Sequence, residues 1–289
     1  MADKLLETTW TILKVLQWTA NRFSERGISS ARLDAEVLLA HVLGMTRVGL
    51  YTSHDKPLQQ GELATYKDLI RRRLAGEPVA YLTGRQEFWS LPLKVDPRVL
   101  IPRRDTETLV EVALAVARPR NACRIADVAT GSGAVALALA KELPQATVVA
   151  TDASPGALEV ARENADQLGL SSRVELREGD LVSPLDGTFD LIVSNPPYVP
   201  TDEIATLAPE VRREPRAALD GGSDGLFVLR RLVPAAMAFL APDGRLAVEH
   251  AHDQGEAVAR LFQDSGYIDV VTTKDLAGVD RVTAGRKRA

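Results

Sequence analysis

The chain has a single cysteine, Cys123, in 289 residues. No intrachain disulfide is possible. The thiol stands just before an apolar run, where a buried structural role is expected rather than a reactive one. Long apolar stretches are also missing, since none approaches the ~20 residues needed to span a bilayer. The N-terminal segment mixes charge into its apolar positions instead of forming a signal-peptide block. A cytoplasmic enzyme with no membrane partner is expected. A basic excess is lacking too: 35 Lys and Arg stand against 39 Asp and Glu, for a formal charge of −4. Proteins that grip many phosphates carry such an excess, so no stable nucleic-acid partner is expected. Aromatics make up only 5% of the chain.

What is present is a change of texture along the chain. Up to about residue 85 the pattern is helical, with Leu5, Leu6, Ile12, Leu13, Val15 and Leu16 at helical spacing. Ser29 or Ser30 can cap a second helix, whose apolar face takes Leu33, Val37, Leu38 and Val42 and which ends near Gly44. A third helix is predicted over 60–75. It carries Arg71, Arg72 and Arg73, a run that reads as a solvated face, with partner docking as the sharper alternative. Residues 86–100 alternate apolar and polar around two prolines, which suggests a short hairpin joining two halves.

From about residue 105 helices and strands alternate. Strands are predicted at 124–129, 146–151, 173–177, 189–194, 244–250 and 268–273. Helical stretches at 133–142, 155–168, 225–240 and 254–265 separate most of them. This is the pattern of an α/β fold with a mostly parallel sheet, and such sheets bind ligands beyond the carboxyl ends of their strands. The expected division is a helical domain at 1–85, a hairpin linker at 86–104 and a catalytic domain at 105–289.

Two motifs carry the chemistry. Asp127-Val-Ala-Thr-Gly-Ser-Gly133 follows an apolar strand and opens a helix. Its glycines let the backbone turn tightly and approach a ligand, and the helix start offers free N–H groups. Its spacing is not the dinucleotide pattern, and no P-loop lysine follows. Asp152 ends the next strand, where a carboxylate can accept both hydroxyls of a ribose, or cap the following helix. Asp127 can hold the loop or meet an ammonium group. Asp180 and Leu181 follow the third strand, where they can read an adenine edge or serve the loop.

The second motif is Asn195-Pro-Pro-Tyr198, placed directly after the apolar strand at 189–194. An amide or exocyclic amine nitrogen is a poor nucleophile because its lone pair is delocalised. It must be held with that lone pair aimed at the electrophile. The Asn195 side-chain oxygen and the Pro196 carbonyl can each accept one N–H of a planar NH2 group. Those acceptors bind more strongly as the nitrogen becomes positive. Tyr198 offers a flat face to a π-system. His250 and His252 alternate on a predicted strand, but no third ligand accompanies them, so no metal is expected. Glu214 and Asp224 fit a cleft, a helix start or a loop equally.

With these motifs in view, the chain resembles the bacterial protein-(glutamine-N5) methyltransferases that modify peptide chain release factors, the PrmC or HemK type. The likeness covers Ala31-Arg-Leu-Asp-Ala-Glu36, Tyr81-Leu-Thr-Gly84, Phe88, Leu100-Ile-Pro-Arg-Arg-Asp-Thr-Glu107 and the two motifs above. It continues through Glu214-Pro-Arg-Ala-Ala-Leu219, Gly221-Gly-Ser-Asp-Gly-Leu226 and Lys274-Asp-Leu-Ala-Gly-Val-Asp-Arg281. The resemblance implies a class I S-adenosylmethionine-dependent methyltransferase, with a Rossmann-like seven-stranded, mostly parallel sheet and a small helical N-terminal domain that helps recognise the release factor. The acceptor would be the glutamine of the Gly-Gly-Gln loop of class I factors, the coproduct S-adenosylhomocysteine, and the enzyme a monomer. Ala129, Thr130, Gly131, Ser132, Gly133, Asp152, Asp180 or Leu181, and Asn195 carry over as cofactor contacts, beside Asp127. Asn195, Pro196, Pro197 and Tyr198 carry over as the glutamine clamp, with Phe88 as a substrate wall or as hinge packing. Two positions depart from the family pattern: Ala129 stands where glycine is usual, and Arg104 where proline is usual.

The motif Asn-Pro-Pro-Tyr is shared with adenine-N6 nucleic-acid methyltransferases, whose NH2 group the same clamp would fit. The acidic balance and the lack of a basic, aromatic-rich target-recognition domain argue against that alternative. A non-catalytic binding module is the third reading, and the intact motifs speak against it.

Overall fold

In the computed structural model, which describes residues 10–120 and 122–289, the chain divides into one unit ending at Gly84 and another beginning at Arg85. The first unit is helical: α1 (Ile12–Glu25), α2 (Ala31–Leu43), α3 (Arg47–Thr52), α4 (Gln60–Leu74) and α5 (Val79–Thr83). The Thr11 hydroxyl starts α1 by accepting from the Lys14 amide, and the helix buries Ile12, Val15, Leu16 and Phe23. Leu5 and Leu6 lie outside the described residues. Gly44 ends α2 in the left-handed conformation that a glycine adopts without strain.

The face that α2 buries includes Leu38, as expected, but differs at Leu33. Asp34, Ala35, Glu36, Leu38, Leu39 and Ala40 are inside, whereas Leu33 is 46% exposed. Two carboxylates point inward because each has partners there, the condition under which a charge can be buried. Asp34 pairs with Arg73 of α4 at 2.8 Å, and both are buried. Glu36 accepts from Arg32 at 2.9 Å and from Arg47 at 2.7 Å. The arginine run is therefore not a uniform solvated face. Arg73 belongs to the interior, while Arg72 pairs with Glu77 and Arg71 with Asp68.

The second unit opens with an antiparallel hairpin, β1 (Arg85–Phe88) and β2 (Leu91–Lys94). Trp89 and Ser90 both have positive φ, +51° and +57°, as a two-residue turn matched to strand twist requires. The hairpin buries Phe88, Leu91 and Leu93 in the core of this unit. Asn164 clips it in place: its Oδ1 accepts from Lys94 N at 2.6 Å, and its Nδ2 donates to Lys94 O at 3.0 Å and to Ser132 O at 2.9 Å.

There follow α6 (Glu107–Ala117), β3 (Arg124–Val128), α7 (Ala134–Glu142), β4 (Thr147–Asp152), α8 (Pro155–Gln167), β5 (Val174–Glu178), β6 (Phe189–Ser194), α9 (Phe227–Ala236), β7 (Leu240–Glu249), α10 (Gly255–Asp264), β8 (Ile268–Lys274) and β9 (Asp280–Arg286). The seven-stranded sheet has the order β5-β4-β3-β6-β7-β9-β8. The strands from β5 to β7 pair in parallel, and β9 runs antiparallel to both β7 and β8. Because β4 and β6 flank β3 on opposite sides, the chain reverses its direction of winding there. A crevice opens beyond the carboxyl ends at that point. Side chains alternate across the sheet, so Ile125 joins one apolar layer with α6 and α7 while Ala126 and Val128 join the other with α9 and α10. Cys123 lies in the first layer, where burial pushes its thiol up to about 11, as a structural residue. Among the described residues, no helix is long and apolar enough to cross a membrane.

Candidate active site

A cavity of about 380 Å³ occupies this crevice. Asp127, Ala129, Thr130, Gly131 and Ser132 border it after β3, and Asp152 borders it after β4. The loop takes three left-handed conformations in a row of five residues: Ala129 at φ +60°, Gly131 at +57° and Gly133 at +82°. Space above Gly131 is open, so a ligand can lie against its backbone. Gly133 does not border the cavity. It is the N-cap of α7, where a Cβ would press on Leu137 and Ala161 at 3.2 and 3.3 Å. Ala129 adopts with a methyl group what glycine adopts freely, at a cost of about 1 kcal/mol.

Two carboxylates hold the loop. Asp127 is buried and accepts from Thr130 Oγ1 at 2.6 Å and from Ala136 N at 3.0 Å. Burial pushes its carboxyl up to about 7, against those hydrogen bonds. Asp152 accepts from Gly131 N and from Ser154 N, both at 2.9 Å. Burial raises it from the ordinary carboxylate value, and the backbone N–H groups oppose the rise. The cap of α8 is the Ser154 hydroxyl, which accepts from Ala157 N at 3.2 Å. Asp152 is left beside the cavity. Further along the wall, Asp180 forms an ion pair with Arg231, which also borders the cavity, and Leu181 turns at φ +51°.

The Asn-Pro-Pro-Tyr turn begins where β6 ends. Ser194 Oγ donates to Val128 O at 2.7 Å and ties the tips of β6 and β3 together. Asn195 and Pro197 border the cavity; Pro196 and Tyr198 do not. Asn195 Nδ2 donates to Thr106 Oγ1 at 3.0 Å, which leaves the Asn195 side-chain oxygen as an unused acceptor. Tyr198 Oη donates to Glu249 Oε1 at 3.1 Å. Burial and the neighbouring Glu249 carboxyl push the Tyr198 phenol well above its ordinary value. Burial also pushes Glu249 up to about 7, while the hydroxyls of Thr106 and Tyr198 and the charge of Arg281 favour its ionised form.

The turn is braced from behind. Gln254 Nε2 donates to Tyr198 O at 3.0 Å, Val199 N to Leu219 O at 2.9 Å and Gly221 N to Val199 O at 2.8 Å. A Cβ on Gly221 would lie 2.8 Å from Tyr198 Cα, and one on Gly225 would overlap the Tyr198 carbonyl. The glycines of the 221–226 segment thus permit close backbone approach to the turn.

Some expected residues fall elsewhere. Phe88, expected as a substrate wall or hinge packing, is 1% exposed in the apolar layer and does not border the cavity. Buried Glu214 accepts from Ile101 N at 2.9 Å and pairs with Arg103, fixing the 100–103 segment at the cavity edge. Asp224 accepts from Leu226 N at 3.2 Å and from Arg230, as a helix-start residue. Arg104 opens a short 3-10 turn ending at Thr106 and does not border the cavity. The ring of His250 is buried between Thr283 Oγ1 at 2.9 Å and Ala251 O at 2.8 Å. Thr106, Glu249, Gln254 and Arg231 were not singled out from the sequence. Thr106 lies inside the 100–107 segment, and Glu249 is a carboxylate that closes an apolar strand beside His250.

Residues 14–84 match the family model of the PrmC N-terminal domain, and residues 105–275 match that of the methyltransferase small domain. The chain is 51% identical over 279 residues to the release factor glutamine methyltransferase of Geobacter sulfurreducens, covering 96% of this chain and 97% of that protein. It is 46% identical over 280 residues to the release factor glutamine methyltransferase of Moorella thermoacetica, covering 96% and 99%. Among solved structures, a methyltransferase from Pyrococcus furiosus aligns with a TM-score of 0.54 at 20% identity, over 77% of this chain and 100% of that one. The ribosomal protein L11 methylase of Lactobacillus delbrueckii subsp. bulgaricus aligns at 0.50 and 24%, over 68% and 86%. These two likenesses are of fold.

Proposed function

The chain belongs to the family of release factor glutamine methyltransferases, and on that premise we propose that it transfers a methyl group from S-adenosylmethionine to the side-chain N5 of the glutamine in the Gly-Gly-Gln loop of peptide chain release factors. One observation carries this most directly. On the rim of the cavity, the amide nitrogen of Asn195 is held inward by Thr106, and its oxygen is left to accept.

The cavity wall fits the cofactor. A volume of about 380 Å³ lies within the range of small-ligand sites. Gly131 leaves room for close approach, and Asp152 keeps lone pairs for two ribose hydroxyls beyond the two backbone bonds that it accepts. Thr130 and Ser132 complete the loop that Asp127 holds, and Asp180 and Leu181 would take the adenine side. When bound, S-adenosylmethionine supplies a methyl group already activated by its sulfonium.

The protein's part is positioning. Asn195 Oδ1 and the Pro196 carbonyl would each accept one N–H of the glutamine amide, aiming its nitrogen along the line of attack. Their hold tightens as positive charge develops on that nitrogen. Pro196 and Pro197 stiffen the turn and bring no competing N–H donor. Tyr198, anchored at its phenol, would present its ring to the flat amide. We assign release-factor recognition to the helical N-terminal unit, and read the enzyme as a cytoplasmic monomer without a stable nucleic-acid partner.

The test is incubation with labelled S-adenosylmethionine and a release factor, followed by mass mapping of the modified residue. Label on the Gly-Gly-Gln glutamine, and none on a factor carrying Gln→Ala there, is expected. Label on adenine in nucleic acid, with binding that falls steeply with salt, would overturn the proposal in favour of the other substrate of such a clamp.

A further inference from the structure

The cavity wall after β5 has a fixed main chain and one tethered side chain. Gly179 N donates to Asp152 O at 3.0 Å, Ser183 N donates to Asp180 O at 3.0 Å, and the buried Thr151 hydroxyl donates to Leu181 O at 3.0 Å. These bonds hold the backbone of residues 179–181 against the tip of β4. None of them reaches the Asp180 carboxylate. Among the described residues, its side-chain partner is Arg231 of α9, whose Nη2 donates to Asp180 Oδ2. Asp180 and Arg231 both border the cavity, as does Val228 about one turn before Arg231. The Arg231 guanidinium also lies over the ring of Phe227, 5.7 Å from its centroid, which narrows the positions open to it.

We propose that Arg231 is a positioning residue for the cofactor, holding the Asp180 carboxylate in the orientation that reads the exocyclic amine of adenine. A carboxylate only accepts. With Oδ2 engaged by Arg231, Oδ1 is left to accept an N–H from that amine. Asp180 and Arg231 are both about half exposed, so without its partner the aspartate would sample several rotamers and lose that freedom on binding. Exposed ion pairs contribute little to folding, so the fold should survive loss of the arginine. A base with an oxygen in place of the amine would set acceptor against acceptor and be rejected. The inference rests on the reading of Asp180 as an adenine contact.

Calorimetry with S-adenosylhomocysteine and its 6-oxo analogue, S-inosylhomocysteine, tests this. The wild-type protein should bind the 6-oxo compound about 10- to 100-fold more weakly, the worth of a hydrogen bond to a charged group. Arg231→Met keeps an apolar stem and removes the donor. It should weaken S-adenosylhomocysteine about 3- to 10-fold, the effect of ordering one more side chain on binding, and narrow the ratio between the two ligands. Arg231→Lys retains a donor and should recover most of both. In turnover the loss should fall on KM for the cofactor and not on kcat. A folded Arg231→Met protein with the wild-type ratio would overturn the proposal. Asp180→Asn tests the underlying reading separately, because its amide can donate to a 6-oxo group and should narrow the ratio further. If Asp180→Asn keeps the wild-type ratio, Asp180 does not read the adenine edge and the premise fails. If it narrows the ratio while Arg231→Met does not, the role of the arginine alone is lost.

Discussion

The glycine loop after β3 and the Asn-Pro-Pro-Tyr turn after β6 sit on neighbouring strand tips and border the same cavity, yet they keep their shapes by different means. The loop is held by residues close at hand. Asp127 bonds to groups three and nine residues away, and the remaining carboxylate comes from the adjacent strand. The turn is held from afar. Thr106 lies 89 residues before Asn195, while Glu249 and Gln254 lie 51 and 56 residues from Tyr198. A loop that folds on itself carries its signature in a short motif. A turn whose amide orientation is set by distant side chains does not, and its function is exposed to changes in segments far away in the chain.

The contrast can be broken most forcefully at Asn195. Asn195→Ala should lower kcat by ~10²- to 10³-fold, as for removal of one preorganised polar group at a reacting centre, while cofactor binding survives in part. Near-normal turnover with labelled cofactor would refute the assignment. Gly225→Ala strikes the turn from behind without touching a ligand. Its Cβ would overlap the Tyr198 carbonyl at a backbone φ of +73°. A loss of about 2–4 kcal/mol in denaturant unfolding is expected from overpacking and left-handed strain together. An unchanged unfolding midpoint would mean that the 221–226 segment yields and does not brace the turn. On the loop side, Asp152→Ala should weaken cofactor binding by about 1.5–3 kcal/mol, the worth of hydrogen bonds to a charged group, with less effect on turnover at saturating cofactor. Calorimetry decides this, and an unaltered dissociation constant would remove Asp152 from the site. The smallest change is a gain: Ala129→Gly relieves a left-handed methyl-bearing residue and should stabilise by about 1 kcal/mol, raising Tm by about 2–4 °C. A lower Tm would show that the added chain freedom of glycine outweighs the strain.

Much of the catalytic unit is legible in the sequence alone. The apolar strand Phe189–Ser194 and the alternation of helices and strands around it pointed to a parallel sheet with its ligand at the strand tips. The residue pattern does not place β9, the seventh strand, because its interior is Thr283, Ala284 and Gly285. A Cβ on Gly285 would press on Phe262 at 2.7 Å, so the strand is small-chained where α10 packs, and small side chains give no apolar alternation. In α2 the apolar pattern puts Leu33 inside, yet Leu33 is 46% exposed while Asp34 and Glu36 are buried. The pairing of Asp34 with an arginine 39 residues away turns that part of the face inward. Phe88 was ambiguous for a similar reason, since alternation marks a buried face without saying whether a core or a ligand lies against it.

The sequence by itself determined the parallel-sheet class, the place of the glycine loop, the Asp152 carboxylate and the Asn195–Tyr198 turn. All of these follow from contacts between near neighbours or from the turn chemistry of proline and glycine. Only the tertiary structure decided which way the Asn195 amide points, which carboxyls are raised toward neutrality, and that Thr106 and Glu249 stand behind the clamp. Each of these depends on burial and on pairing between segments far apart in the chain, where the cost of removing a polar group from water is set by the partners that folding brings to it.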